Sequence, residues 1–169
     1  IATRLIGIIK NGAADEKKES VKLLESFPPT RAEDFSDLVR VTYDSRFETA
    51  ELREPLESAI RFYGEHPDRI QITEVWPVER TFGDVLTLLS KDFPPFVRQA
   101  AANVLRVLGP SLPADTRANK LGDDLEKALE NEDDPHTRLA LRGAHDKFPK
   151  ENSPRVRVRK WGCQFSLLA

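Results

Sequence analysis

The sequence predicts an all-α fold: an α-α superhelix of about four antiparallel helix pairs, followed by a short extended C-terminal tail. Three observations lead there. Apolar residues recur at helical spacing along most of the chain, most of the 12 prolines stand between those stripes, and two segments in the second half repeat each other 40 residues apart. Residues 1–150 are expected to form the repeat domain, with an insertion at about 65–78, and 151–169 the basic extended tail.

The elements follow in order. Ile1, Leu5, Ile8 and Ile9 share a helical face, and Lys10-Asn11-Gly12 is a stop signal. Asp15 is the expected cap of a second helix with Val21, Leu24 and Phe27 on its apolar side, ended by Pro28-Pro29. Thr30-Arg31-Ala32-Glu33 reads as a capping box, in which hydroxyl and carboxylate satisfy each other's orphan backbone donors. The helix it opens carries Phe35, Leu38, Val39 and Thr42. Ser45-Arg46-Phe47-Glu48 is a second such box, followed by Leu52, Leu56, Ile60 and Tyr63, with Gly64 as stop and Pro55 inside the pattern, where it predicts a kink or a first turn. His66-Pro67-Asp68 is a loop signal and Ile70-Gln71-Ile72 alternates like a strand. Trp76 in this insertion is either an exposed interface anchor or a ring packed over the gap.

Helical spacing resumes at Val78, Phe82, Val85, Leu86 and Leu89, turns at Phe93-Pro94-Pro95, and gives the clearest stripe of the chain at Val97, Ala100, Ala101, Val104, Leu105 and Leu108, closed by Gly109-Pro110. Ala114, Ala118, Leu121, Leu125, Ala128 and Leu129 predict the next helix. Asp134-Pro135 opens the last, which carries Leu139, Leu141, Ala144 and Phe148. In the tail, Arg155-Val156-Arg157-Val158-Arg159 alternates with period two, like an edge strand.

The repeat is the strongest signal. Phe96-Val97-Arg98-Gln99-Ala100-Ala101 matches His136-Thr137-Arg138-Leu139-Ala140-Leu141; Leu52-Arg53 stands 45 residues before Val97. A period near 40 with two helices per unit indicates a solenoid, whose units bury their apolar faces only by stacking on one another. The run Val85-Leu86-x-Leu88-Leu89-x-x-Asp92, then Val97-Arg98-x-Ala100-Ala101, Leu105 and Gly109, resembles a HEAT repeat, and Leu125-x-x-Ala128-Leu129, Asp133, Thr137-Arg138 and Ala140 resembles a second copy. The resemblance is specific over about 79–148 and looser over 1–64. It implies that Asp92, Arg98 and Arg138 are structural, the Asp before the second helix bonding the Arg within it or a neighbouring repeat. Glu132 stands where the last repeat would have that Asp.

Composition bounds the function. The chain has 169 residues, 39% apolar and 32% charged, with a net charge of −2, so no global field draws it to nucleic acid or a membrane. No apolar run approaches the roughly 20 residues that span a bilayer. The absence of methionine and the opening at Ile1 predict an excised or processed piece of a longer chain. Cys163 is the only cysteine, which excludes an intrachain disulfide and a cysteine-rich zinc site and suits an intracellular setting, cytoplasmic or nuclear. His66, His136 and His145 lack metal-ligand spacing, and no phosphate-binding glycine loop or G-x-S-x-G stands in the chain. The expectation is a protein without catalytic residues, metal or cofactor.

The resemblance implies that partners are gripped on the second helix of each pair. Opposite the core stripe these helices carry Gln99, Asn103 and Arg106; the 40-residue shift gives Leu139, Gly143 and Asp146, and the 45-residue shift gives Glu54, Ser58 and Arg61. This ladder is mixed in charge, which suits a protein segment better than a polyanion. The first expectation is therefore a protein-binding scaffold or a module of a larger chain, its partner another protein or another part of that chain. The second is nucleic-acid or anion binding through Arg155, Arg157, Arg159, Lys160 and Trp161, with phosphate contacts and base stacking. HEAT-like alkylpurine glycosylases and lyases are also known, but the aromatic and acidic cleft of the former, or any lyase constellation, cannot be assembled from these residues.

Overall fold

The computed structural model describes residues 1–43, 50–73, 77–113 and 116–148. These residues are all-helical. Eight α-helices are described: α1 Ala2–Asn11, α2 Ala14–Ser26, α3 Ala32–Thr42, α4 Ala50–Glu65, α5 Val78–Leu86, α6 Pro95–Leu108, α7 Thr116–Asn131 and α8 Pro135–Lys147. Short 3-10 turns follow α4, α5 and α6. The second capping box (45–48), Ala114, Trp76 and the tail lie outside the described residues.

Most core stripes form as the spacing dictates. Phe35, Leu38, Val39 and Thr42 of α3, Leu56, Ile60 and Tyr63 of α4, and the whole α6 stripe are buried. Five local expectations are corrected. The α1 stripe is Leu5, Ile6 and Ile9 with Ala2 beside them; Ile1 is 80% exposed, because it sits at the cap, outside the helix face that meets α2 and α3. Asp15 does not cap α2. Ala13 occupies that position and donates its N–H to the Glu16 carboxylate at 2.9 Å, so Asp15 falls in the first turn. Phe27, at the C-cap of α2, is 47% exposed. Gly64 does not stop α4, which runs on to Glu65, and Pro55 lies within it. The strand-like Ile70-Gln71-Ile72 makes a single parallel bridge, Gln71 to Arg31.

That bridge also explains why the Thr30–Glu33 capping box does not form. The Gln71 N–H donates to the Thr30 carbonyl at 2.7 Å, and the Ala32 N–H donates to the Gln71 carbonyl at 2.9 Å. The loop thus satisfies the Ala32 amide, and the N-cap of α3 is Arg31, not Thr30. Glu33 turns to the loop and accepts from the Thr73 N–H and hydroxyl at 2.7 and 2.6 Å.

Each odd-numbered helix packs on the even-numbered one that follows it. The even helices also touch in series, α2 on α4, α4 on α6 and α6 on α8, and the odd helices do likewise. The helices α4, α6 and α8 run in the same direction. Arg61 and Gly64 of α4 meet Phe96 and Ala100 of α6 in that order. Pro95, Arg106 and Gly109 along α6 meet Thr137, Gly143 and Lys147 along α8. Small residues mark these crossings: Gly64 backs onto Ala100, and Arg106 lies across Gly143.

The end of α8 is locked by Phe148, whose ring sits edge-on to Phe82 at 5.6 Å. A Cβ on Gly122 of α7 would stand 2.8 Å from that ring. Gly122→Ala gains up to about 1 kcal/mol of helix propensity, but displacing a buried ring costs typically 1–3 kcal/mol. The expected result is net destabilisation of about 1 kcal/mol, read from urea unfolding, with a smaller effect in a Phe148→Leu background.

Candidate partner-binding face

The residues expected to line a binding ladder lie on α4, α6 and α8. Glu54, Ser58 and Arg61 on α4 are exposed, as are Leu139 and Asp146 on α8; Gln99, Arg106 and Gly143 are half-buried. Leu139 is 70% exposed, so it belongs to the surface and not to the α8 core stripe. The Arg61 guanidinium stacks on the Phe96 ring at 3.8 Å, which holds it in place at the α4–α6 crossing. Arg61 therefore lies beside the start of α6, not beside Arg106, whose neighbour is Gly143.

Asn103 is corrected. It is 6% exposed, and its amide donates to the Gly64 carbonyl at 2.9 Å. That carbonyl belongs to the last turn of α4 and has no partner within its helix, so Asn103 is a stacking contact, not a surface for ligands.

The structural trio is corrected in part. Arg98 does not pair with Asp92. Its Nε and Nη2 donate to the two carboxylate oxygens of Glu132, both at 2.8 Å, and Nη1 donates to the Phe93 carbonyl at 2.7 Å. Glu132 also accepts the N–H groups of Asp133 and Asp134. The pair is nearly dry, its side chains 9% and 3% exposed. The hydrogen bonds from Arg98 hold the Glu132 carboxyl below the usual carboxylate range, and those to Glu132 push the Arg98 guanidinium further up. Asp92 instead folds back on its own turn, accepting from the Ser90 hydroxyl at 2.8 Å. Arg138, the counterpart of Arg98, is exposed, and its side chain makes no hydrogen bond or ion pair among the described residues.

A second polar region lies on the odd helices. A cleft of about 300 Å³ is floored by α3 and walled by α1 and α5, with Thr3, Glu33, Asp34, Ser36 and Thr81 in its lining. Arg31 anchors it, donating to the Thr3 hydroxyl at 3.2 Å and the Thr73 hydroxyl at 2.7 Å, while its carbonyl accepts from Tyr63 at 2.8 Å. Thr3 in turn donates to Asp34 at 2.8 Å. Burial raises the Asp34 carboxyl above the ordinary range, opposed by the Thr3 hydrogen bond and the Arg31 charge. At the rim, Lys10 pairs with Asp37 at 3.2 Å and Arg40 with Asp84 at 3.5 Å, so the walls are tied to the floor by matched charges. Sequence spacing gave no sign of this network, because its members come from three helices and a loop.

Among the described residues, no group of three or more His, Cys, Asp or Glu side chains is arranged to hold a metal ion, and no helix is long and apolar enough to cross a membrane. Arg155, Arg157, Arg159, Lys160, Trp161 and Cys163 lie outside the described residues. Compared with family models, with curated proteins and with solved structures, the chain matches none.

Proposed function

We propose that this chain is a HEAT-like α-solenoid of four helix pairs that works inside the cell as a non-catalytic protein-binding scaffold or module, gripping its partner on the face formed by the even-numbered helices. The observation that carries this reading is the parallel stacking of α4, α6 and α8, which turns three separate helices into one continuous flank. A solenoid uses its two rows differently. The odd row closes on itself through matched ion pairs across the cleft, whereas the even row leaves Glu54, Ser58, Arg61, Leu139 and Asp146 turned to solvent. Arginine is enriched among residues that dominate protein interfaces, and here Arg61 is held on the Phe96 ring before any partner arrives, which reduces the ordering cost of binding.

The test is quantitative capture of binding proteins from the native source by wild type, by Arg61→Ala/Arg106→Ala, and by Arg40→Ala/Arg80→Ala on the odd row. A partner recovered by wild type and the odd-row variant, but reduced about tenfold or more by the even-row variant, is the expected result. Equal recovery by all three rejects this face.

A further inference from the structure

Arg98 and Arg138 hold the same place in successive even helices. Each stands three residues after the proline that opens its helix, Pro95 or Pro135, and the two are 40 residues apart. The structure thus contains its own demonstration of what this position binds: Arg98 grips a glutamate with both ends of its guanidinium fork. Arg138 presents the same fork to solvent. Asp133, whose carboxylate feels the Arg138 charge, is already held by Lys91. One turn further on, Arg142 is also exposed and unpaired among the described residues. Arg138, Arg142 and the exposed Leu139 lie on the side of α8 opposite its buried Thr137, Leu141 and Ala144.

A further helix pair does not fit this face in the way α8 fits α6. The α6 surface that meets α8 runs through Pro95, Arg98, Arg106 and Gly109, and helical periodicity puts Ala102, fully buried, at its centre. The corresponding row on α8 is Pro135, Arg138, Arg142 and Asp146. A long charged side chain, Arg142, stands where close helix approach needs an alanine. The face is therefore built for a slimmer occupant that brings negative charge.

We propose that the exposed face of α8 docks an acidic segment of a partner protein, with carboxylates on the Arg138 and Arg142 guanidinium groups and an apolar side chain on Leu139. Asp146, at the far end of the same face, repels carboxylates there and confines the acidic contacts to the first half of the helix. This inference rests on the protein-binding reading above and supplies the chemistry of the partner.

The test selects random peptides displayed on phage against the full chain, then measures synthetic consensus peptides by fluorescence anisotropy. The expected result is enrichment of sequences with two or more acidic residues around an apolar one. Their affinity falls about tenfold or more in Arg138→Ala/Arg142→Ala and in Leu139→Asp, and Arg138→Glu/Arg142→Glu prefers the same peptide with its acids changed to lysine. Circular dichroism melts of the variants, all at exposed positions, establish that each is folded. Enrichment of basic or uncharged sequences, the absence of enrichment, or equal binding to the Arg138/Arg142 variant overturns the proposal. Peptides that ignore that variant but are lost with Arg61→Ala/Arg106→Ala overturn it while leaving the proposed function standing. Displacement of the acidic peptide by single-stranded oligothymidylate of equal or higher affinity would assign the face to a polyanion instead.

Discussion

Glu132→Ala destabilises the protein by about 3–5 kcal/mol, the range for removing one partner from a buried ion pair. The cost arises from what is left behind. Arg98 keeps its charge in a site that admits almost no water, and the Asp133 and Asp134 amides lose their acceptor. A double variant, Arg98→Met/Glu132→Leu, is expected to recover most of the loss, since it removes both charges and fills the space with apolar atoms. Urea unfolding of the two single variants and the double gives the coupling directly. Acid titration supplies an independent reading. The Glu132 carboxyl is depressed in the folded state, so its contribution is present above the unfolded value near 4.5 and is lost as pH falls through the folded one. Asp34 runs the other way: its raised value means that protonation favours the folded chain, which offsets part of the acid loss. The double variant should therefore lose less stability below about pH 4.5 than wild type, because the Glu132 component is gone.

Tyr63→Ala is expected to cost a similar amount, about 3–5 kcal/mol, as for deletion of a large buried ring. Tyr63 is fully buried and meets Phe35 edge-on at 4.9 Å. Its hydroxyl donates to the Arg31 carbonyl at 2.8 Å, so the ring also ties α4 to the start of α3. Tyr63→Phe separates the two roles and is expected to cost only about 1 kcal/mol. For a chain of this size the alanine variant should lower Tm by on the order of 10 °C. In both variants the Ala32 and Gln71 amides should exchange with solvent faster than in wild type, because the bridge they form rests on Arg31.

The helices were legible in the sequence because apolar spacing and proline punctuation act within one segment. Asp134-Pro135 opens its helix as read, the turn at Phe93-Pro94-Pro95 leads into α6, and the stripe from Val97 to Leu108 is buried without exception. Several misreadings involve a residue recruited by a distant part of the chain. Of the two partners open to Arg98, Asp92 across its own turn or the neighbouring repeat, the structure has the second, Glu132, at Asp92's equivalent position in the next pair. Local spacing does not reveal which side of a repeat a side chain will cross. Thr30 and Glu33 have the right order for a capping box, yet a loop 40 residues later donates to the Thr30 carbonyl and to the Glu33 carboxylate. Asn103 lies on the polar side of α6 by periodicity, and only the packing of α4 against it brings the Gly64 carbonyl within reach. The polar cleft was illegible for the same reason, since Thr3, Arg31, Asp34 and Thr73 meet only in three dimensions. Of the surface ladder, Glu54, Ser58 and Arg61 of α4 are all exposed, as spacing placed them, whereas Gly143 of α8 lies under Arg106.

Because α6 is wrapped by α3, α4, α5 and α8, while α7 fully buries only Leu125 among its described side chains, firmness is graded along the molecule. Limited digestion would nibble inward from the margins and spare the span around Val97–Leu108 longest. Whatever grips the α8 surface would then brace the softer margin of the molecule, so that occupancy there registers as protection far from the contact itself.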